Sequence, residues 1–251
     1  MNSSHPTREA GAEGLFLFDI DGTLLRGAPP THREALCAAA RAVYGAPLTP
    51  ERLGGTAGMT DSAIARRALR GAGMSDDAIT DGLPSFFVAA AEAYERSVPD
   101  DLGAYLTPHA ADALDWLAGH GAALGLVTGN IQRIAWAKLS AAGLAARFRV
   151  AGAPGPLPWI GAFGDEAEDR DALPPLALER AARVLGPGCD AEAWIVGDTA
   201  ADIACGQASG LRVIAVATGP SHTLTELRAH APTHAITDLT ELPGLPLWGA
   251  A

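Results

Sequence analysis

The stretch Leu15-Phe16-Leu17-Phe18-Asp19-Ile20-Asp21-Gly22-Thr23 decides the fold. Its first four residues are apolar without alternation, and a turn residue follows at Gly22. A short apolar run closed by a turn is the pattern of a strand buried on both faces, as in a parallel sheet. Runs of the same kind recur at Ala123–Val127, Ala193–Val196 and Val213–Val216, and a weaker one at His234–Ile236. Helical patterns lie between them. Thr107-Pro108 reads as an N-cap and first-turn proline ahead of a helix ending near Gly119–Gly121. Ile131–Ala142 stops at Gly143, and Leu176–Leu185 stops at Gly186. Strands alternating with helices predict an α/β fold with a doubly wound, mostly parallel, Rossmann-like sheet.

Residues 28–101 break that rhythm. They hold no convincing strand and three helical patterns: one opened by the capping box Thr31-x-x-Glu34 and reaching Tyr44, one from Asp61 to Leu69, and one from Ser75 to Arg96 interrupted by Pro84. The reading is a discontinuous core, 14–27 and 102–243, with an all-helical cap, 28–101, inserted after the first strand. Residues 1–13 and 244–251 are expected to be loose, and 150–160 form a Pro/Gly loop.

Composition bounds the function. Of 251 residues, 48% are hydrophobic and the net charge is −11, so a core can form and a basic nucleic-acid-binding stripe is not expected. The acidic balance also disfavours anionic lipid, and no run of about eighteen apolar residues predicts a membrane span. The N-terminal residues lack the apolar segment of a signal peptide. Cys37, Cys189 and Cys205 are an odd number without metal-site spacing, which fits a reduced cytoplasmic setting. Lys138 is the only lysine; the other seventeen basic residues are arginines.

Three features follow predicted strands. Asp19 and Asp21 stand two apart where the first strand ends, so the turn at Gly22 can swing Asp21 to another side of a shared ligand. One carboxylate then suits a nucleophile and metal ligand, the other a proton donor. The plain alternative is a calcium loop or a solvated turn, although Gly22 is at the fourth position rather than the sixth that an EF-hand needs. Thr128-Gly129-Asn130 closes the second apolar run, and a hydroxyl with free N–H groups before a helix makes an anion cradle, or simply a cap. Asp198 and Asp202, four apart after the run Ala193–Val196, suit a hard cation such as Mg²⁺, or else complement a helix dipole. In an open parallel sheet all these carboxyl ends face one edge, where ligands bind.

These motifs resemble the haloacid dehalogenase-like superfamily of hydrolases, nearest its phosphoglycolate-phosphatase-type members. LFLFDIDGTLL is similar to its first motif, LGLVTGN to its second, and WIVGDTAADIACGQASGLRVIAVATG to its fourth. The resemblance spans about residues 15–240 and includes the place of the helical insertion. It implies that Asp19 is the nucleophile and forms an aspartyl-phosphate, and that Asp21 is the acid for the leaving alkoxide and then the base for water. It implies Mg²⁺ on the Asp19 carboxylate, the Asp21 carbonyl and Asp198, supported by Asp202 directly or through water, with Thr128, Gly129 and Asn130 holding phosphoryl oxygens. A small phosphorylated metabolite is the implied partner, and the protein is expected as a monomer or homodimer.

The third family motif normally supplies a lysine before a helix. Lys138 lies about eight residues past Thr128, roughly 12 Å along a helix, and reads as a surface residue. Arg170, just before the Leu176 helix, is the better candidate, because it keeps a permanent charge and grips an oxyanion with two donors. Its alternative is a solvent-exposed partner for Glu168, Asp169 or Asp171. Arg26, Thr60, Asp61, Arg66 and Arg67 in the cap read as solvent-facing or helix-capping. A phosphomutase uses the same two acids. A 2-haloacid dehalogenase has no use for Asp21 or Asp198, and the cap holds no lysine for a phosphonatase. A non-catalytic binding module would leave the clustered acids repelling one another.

Overall fold

The structure, a computed structural model, describes residues 14–27, 29–149, 159–189 and 192–248. The expectations for 1–13, 150–158 and 249–251 lie outside the described residues. Strands β1 (Leu15–Phe18), β2 (Ala123–Val127), β3 (Ile160–Ala162), β4 (Ala193–Gly197), β5 (Arg212–Val216) and β6 (His234–Ile236) form one six-stranded sheet, with order β3-β2-β1-β4-β5-β6 and every pairing parallel. β3 is an addition to the sequence reading: three residues at the end of a Pro/Gly-rich loop carry too little pattern to be seen.

The apolar runs work as buried strands because successive side chains face opposite layers. Phe16 and Phe18 join one core cluster, as do Leu124, Leu126, Trp194, Val196, Ile214 and Val216. Leu15 and Leu17 join the other with Val127, Ile195, Val213 and Ala215. Helices α4 (Ala110–Gly119) and α5 (Gln132–Ala141) contribute to the first layer, and α6 (Leu173–Leu185) and α7 (Ala200–Ala208) to the second. A short α8 (Leu224–Ala229) precedes β6. Among the described residues, no helix is long and apolar enough to cross a membrane.

Helices α1 (Thr31–Tyr44), α2 (Asp61–Gly71) and α3 (Asp76–Ser97) follow β1 and pack on a separate apolar cluster. That cluster also takes Ile131 and Ile134 at the start of α5, so the cap shares apolar contact with the core beneath it. Four local expectations are corrected. The Thr31–Glu34 capping box is not made; Pro30 occupies the N-cap position without a side-chain bond. Thr107 does not cap α4, which starts from His109 in a left-handed conformation; the Thr107 hydroxyl donates to the Thr23 carbonyl at 2.7 Å and braces the turn after β1. α3 continues through Pro84, which faces solvent, while Ile79, Leu83, Phe86, Ala90 and Tyr94 hold the other face in the cap core against the cost of the missing backbone N–H. The segment 244–248 is not loose either: Leu247 is fully buried and Trp248 meets Phe16 edge-on.

Phe148 sits on the core side of this arrangement, fully buried and edge-on to Phe18. Phe148→Ala is expected to lower stability by about 3–5 kcal/mol, read as a drop in urea midpoint, because the cavity it leaves has no side chain to refill it.

Candidate active site

β1 lies between β2 and β4, so the chain leaves it toward opposite sides of the sheet. Asp19, Thr128 and Asp198 follow β1, β2 and β4 and therefore meet at the carboxyl edge. A cavity of about 360 Å³ opens above them, floored by Asp19, Asp21, Gly129, Asn130 and Asp198 and roofed by cap residues that include His32, Arg33, Met59 and Tyr94.

Asp19, Asp198 and Asp202 are all buried, and each presents an oxygen within 4.8 Å of the others. Burial pushes the Asp19 carboxyl up to about 6 despite the Arg170 charge beside it. Burial, with the charges of Asp202 and Asp19, pushes Asp198 up to about 8. Space around Asp198 is tight. A Cβ on Gly22 or on Gly219 would overlap its carboxylate, and Gly22 also has φ +92°, so glycine is required twice over at that position.

Asp202 has both oxygens engaged. One accepts from the Thr199 N–H at 2.9 Å and the Thr199 hydroxyl at 2.6 Å, closing a capping box at the start of α7. The other accepts from Arg170 at 2.5 Å. Arg170 is buried and its same nitrogen lies 3.2 Å from Asp19. Burial works against the guanidinium charge, but Asp202 and Asp19 outweigh it and hold the group protonated. The structure thus sets Arg170 between the two carboxylates, while Glu168, the alternative partner, pairs with Arg66 and Arg70.

Lys138 is the main correction. It is 2% exposed, not a surface residue. Its ammonium donates to both Asp21 oxygens at 2.7 and 2.5 Å, to Asn130 Oδ1 at 2.6 Å and lies 3.1 Å from His32 Nδ1. The axial distance along α5 misled the sequence reading. Cα–Cβ bonds tilt toward the helix N-terminus, so a long side chain reaches back over the preceding turn. Asp21 also stands forward of the cradle, toward that side chain. Asn130 completes the clamp, donating to Asp21 at 2.8 Å. Burial raises the Asp21 carboxyl, but the Lys138 charge and the hydrogen bonds from Lys138 and Asn130 more than offset it and hold Asp21 below the ordinary carboxylate range.

Thr128 is buried, and its hydroxyl takes an N–H from the Asn130 side chain at 2.8 Å. Gly129 has no room for a side chain, because the Met59 carbonyl of the cap lies against it. Thr60 caps α2, as expected of it, and its hydroxyl also donates to the Glu168 carbonyl at 2.7 Å. Arg67 braces the loop before α2 through the Leu53 and Gly55 carbonyls, and Arg26 is exposed at the cavity rim. Asp61, read as solvent-facing or capping, is instead buried at 1% exposure, and His32 was not singled out at all. A polar residue at a helix start is too common to announce either one.

The haloacid dehalogenase-like hydrolase family model matches residues 16–207. The chain is 26% identical to phosphoglycolate phosphatase 1 of Pseudomonas aeruginosa over 247 residues, covering 96% of this chain and 83% of the relative. It is 26% identical to a phosphoglycolate phosphatase of Pseudomonas savastanoi pv. phaseolicola over 236 residues, 92% of this chain and 79% of that one. Among solved structures, a hydrolase from Pseudomonas syringae superposes with a TM-score of 0.61 at 21% identity, covering 92% of this chain and 96% of the other. A predicted phosphoglycolate phosphatase from Haemophilus somnus does so with a TM-score of 0.61 at 17% identity, covering 93% and 97%. At these identities the superpositions show the fold.

The raised carboxyls give a pH-dependent expectation. Between about pH 4 and 8 the folded, metal-free protein binds more protons at Asp19 and Asp198 than the unfolded chain does, so its stability falls as pH rises through that window. A cation that needs the ionised forms competes with those protons. Mg²⁺ at about a hundred times its Kd is therefore expected to raise the melting temperature by about 5 °C at pH 8.5 and by much less at pH 5.5. Asp198→Asn should remove most of that difference; equal shifts at both pH values would refute the assignment.

Proposed function

Since the chain belongs to the haloacid dehalogenase-like hydrolase family, we propose that it is a Mg²⁺-dependent phosphatase that hydrolyses a small phosphate monoester through an aspartyl-phosphate on Asp19, with phosphoglycolate-type esters as the leading substrate class. The observation that carries this reading is the division of charge in the site. Asp19 sits against Arg170, a cation that cannot be deprotonated, whereas Asp21 sits against Lys138 on the other side of the cavity floor. Two carboxylates two residues apart are thereby given different partners, which suits two different roles. The two curated relatives named as phosphoglycolate phosphatases support the substrate class.

The residues present fit a divalent cation: three buried carboxylates offer hard oxygen ligands, and two of them resist ionisation without added positive charge. In this reading the Asp19 carboxylate, the Asp21 carbonyl and Asp198 would hold Mg²⁺, and Asp202, with its oxygens engaged by Thr199 and Arg170, would support the set from behind. When bound, the ion supplies charge opposite the phosphoryl oxygens and relieves repulsion between Asp19 and an anionic substrate.

The chain's own groups account for the remaining steps. Thr128 and the Gly129 N–H would receive the phosphoryl oxygens, since the Ile131 and Gln132 N–H groups at the start of α5 already donate to Asp61 and Asp165. An Asp19 oxygen attacks phosphorus in line, the ester P–O bond breaks, and Asp21 gives its proton to the leaving alkoxide. The Asp21 carboxylate then takes a proton from water as that oxygen attacks phosphorus, releasing phosphate and regenerating Asp19. Without substrate, Lys138 keeps Asp21 ionised. The negative charge of a bound phosphate opposes Lys138 and returns the carboxyl toward protonation, so the acid form belongs to the occupied site. A cavity of about 360 Å³ roofed by the cap has room for a small ester.

Phosphate release from a panel of small monoesters, with Mg²⁺ or EDTA, tests the proposal. Wild type is expected to release phosphate only with the metal, and Asp19→Asn, nearly isosteric, to lose on the order of 10³-fold or more. Substantial activity in Asp19→Asn, or in EDTA, would overturn it. Lys138→Met preserves side-chain length but removes the charge beside Asp21. Its kcat/KM on an alkyl phosphate is expected to fall by about 10²-fold, the range of general acid–base contributions.

A further inference from the structure

We propose that Asp61 and His32, both from the cap, form the positioning unit of the proton-transfer group: closure of the cap seats Asp61 on the phosphate cradle and, through His32 and Lys138, aligns Asp21. This rests on the phosphatase reading, in which Asp21 is the acid. Asp61 begins α2 and is 1% exposed. Its Oδ2 accepts the Ile131 N–H at 2.8 Å and lies 2.9 Å from His32 Nε2. Its own N–H donates to the Gly129 carbonyl at 2.7 Å, and the Ser62 N–H to the Gly164 carbonyl at 3.0 Å. The first turn of α2 is therefore bonded directly to the core, at the residues that would surround a phosphoryl group.

A buried carboxylate is retained only where its charge is compensated. Among the described residues Asp61 has no arginine or lysine against it; the N-terminal ends of α2 and α5 and the two N–H donors compensate it instead. The consequence falls on His32. An ammonium has no lone pair, so Lys138 must donate to His32 Nδ1, and the ring proton must be on Nε2, pointing at Asp61. Asp61 accepts that Nε2–H and so holds the orientation of the ring, as a carboxylate behind a histidine does in other catalytic arrays.

Lys138 thus has a core half and a cap half to its surroundings. Asp21 and Asn130 are the first; His32 and the Tyr94 ring, 6.0 Å from the ammonium, are the second. With the cap open, His32 and Asp61 leave together, and the ammonium keeps only its core partners, Asp21 and Asn130, without the contact that fixes its direction from the cap side. Neither Asp61 nor His32 touches the reacting atoms; both act through Lys138.

The test separates alignment of the acid from general damage. An alkyl phosphate such as 2-phosphoglycolate needs a proton on its leaving alkoxide, whereas p-nitrophenyl phosphate releases a stable anion without one. kcat/KM reports the phosphorylation step for both esters. Asp61→Asn and His32→Phe are expected to lower it by about 10²-fold on the alkyl ester, and far less on p-nitrophenyl phosphate. Equal losses on the two esters would overturn the proposal, as would no loss in either variant. If Asp61→Asn fails to fold, His32→Phe decides alone. A wild type silent on both esters would count against the phosphatase reading itself, an outcome distinct from equal losses in an active enzyme. Ring ¹⁵N shifts of His32 give a readout without turnover: the Nε2–H tautomer is expected in wild type, and a neutral ring with its proton on Nδ1 would overturn the link to Lys138.

Discussion

Four carboxylates, Asp19, Asp21, Asp198 and Asp202, are drawn to one edge of one sheet, and the rest of the site answers the repulsion among them. Like charges in a dry pocket raise one another's proton affinity, as Asp198 and Asp19 show. Two buried cations and one hydroxyl are placed to counter it: Arg170 between Asp19 and Asp202, Lys138 on Asp21, and Thr23 donating to Asp198 at 3.2 Å. What remains unbalanced is the space between Asp19 and Asp198, where a divalent cation fits. The glycines obey the same constraint. Gly22 and Gly219 have no side chain because Asp198 occupies the space one would need.

The capping box at Thr199–Asp202 shows local structure and chemistry drawing on the same atoms. Asp202 satisfies the N–H that starts α7, a role any helix-capping acid could fill. Its other oxygen holds Arg170, and Arg170 reaches Asp19. The helix start and Asp19 are thus joined by one guanidinium, and moving α7 would move the charge beside Asp19.

The sheet was legible in the sequence because its strands are buried on both faces and read as unbroken apolar runs. Asp19, Asp21, Asp198 and Asp202 were legible because they follow those runs directly, and Arg170 because it stands before a helix at the right place in the order. Contacts made across the fold were not. Lys138 lies two turns into α5, and only the backward lean of helical side chains and the forward position of Asp21 bring the two together. Asp61 and His32 belong to different helices of the cap, 29 residues apart, and no spacing links them until α1 and α2 are packed. The Thr31 and Thr107 caps failed for a related reason: a hydroxyl with several possible partners takes the one tertiary structure brings, as Thr107 takes the Thr23 carbonyl.

The two cations also differ in kind, and the difference follows from what each must do. Arg170 sets one guanidinium nitrogen between two buried acids, and its charge is permanent, so the surroundings of Asp19 do not change as protons move. Lys138 faces Asp21, the carboxylate that in the proposed mechanism loses and regains a proton. A compact ammonium with three donors can share itself among Asp21, Asn130 and His32, and its hold on Asp21 weakens when another anion enters or when one of its other partners withdraws. In the proposed mechanism the lone lysine of the chain thus stands where proton affinity has to respond both to substrate and to the closing of the lid.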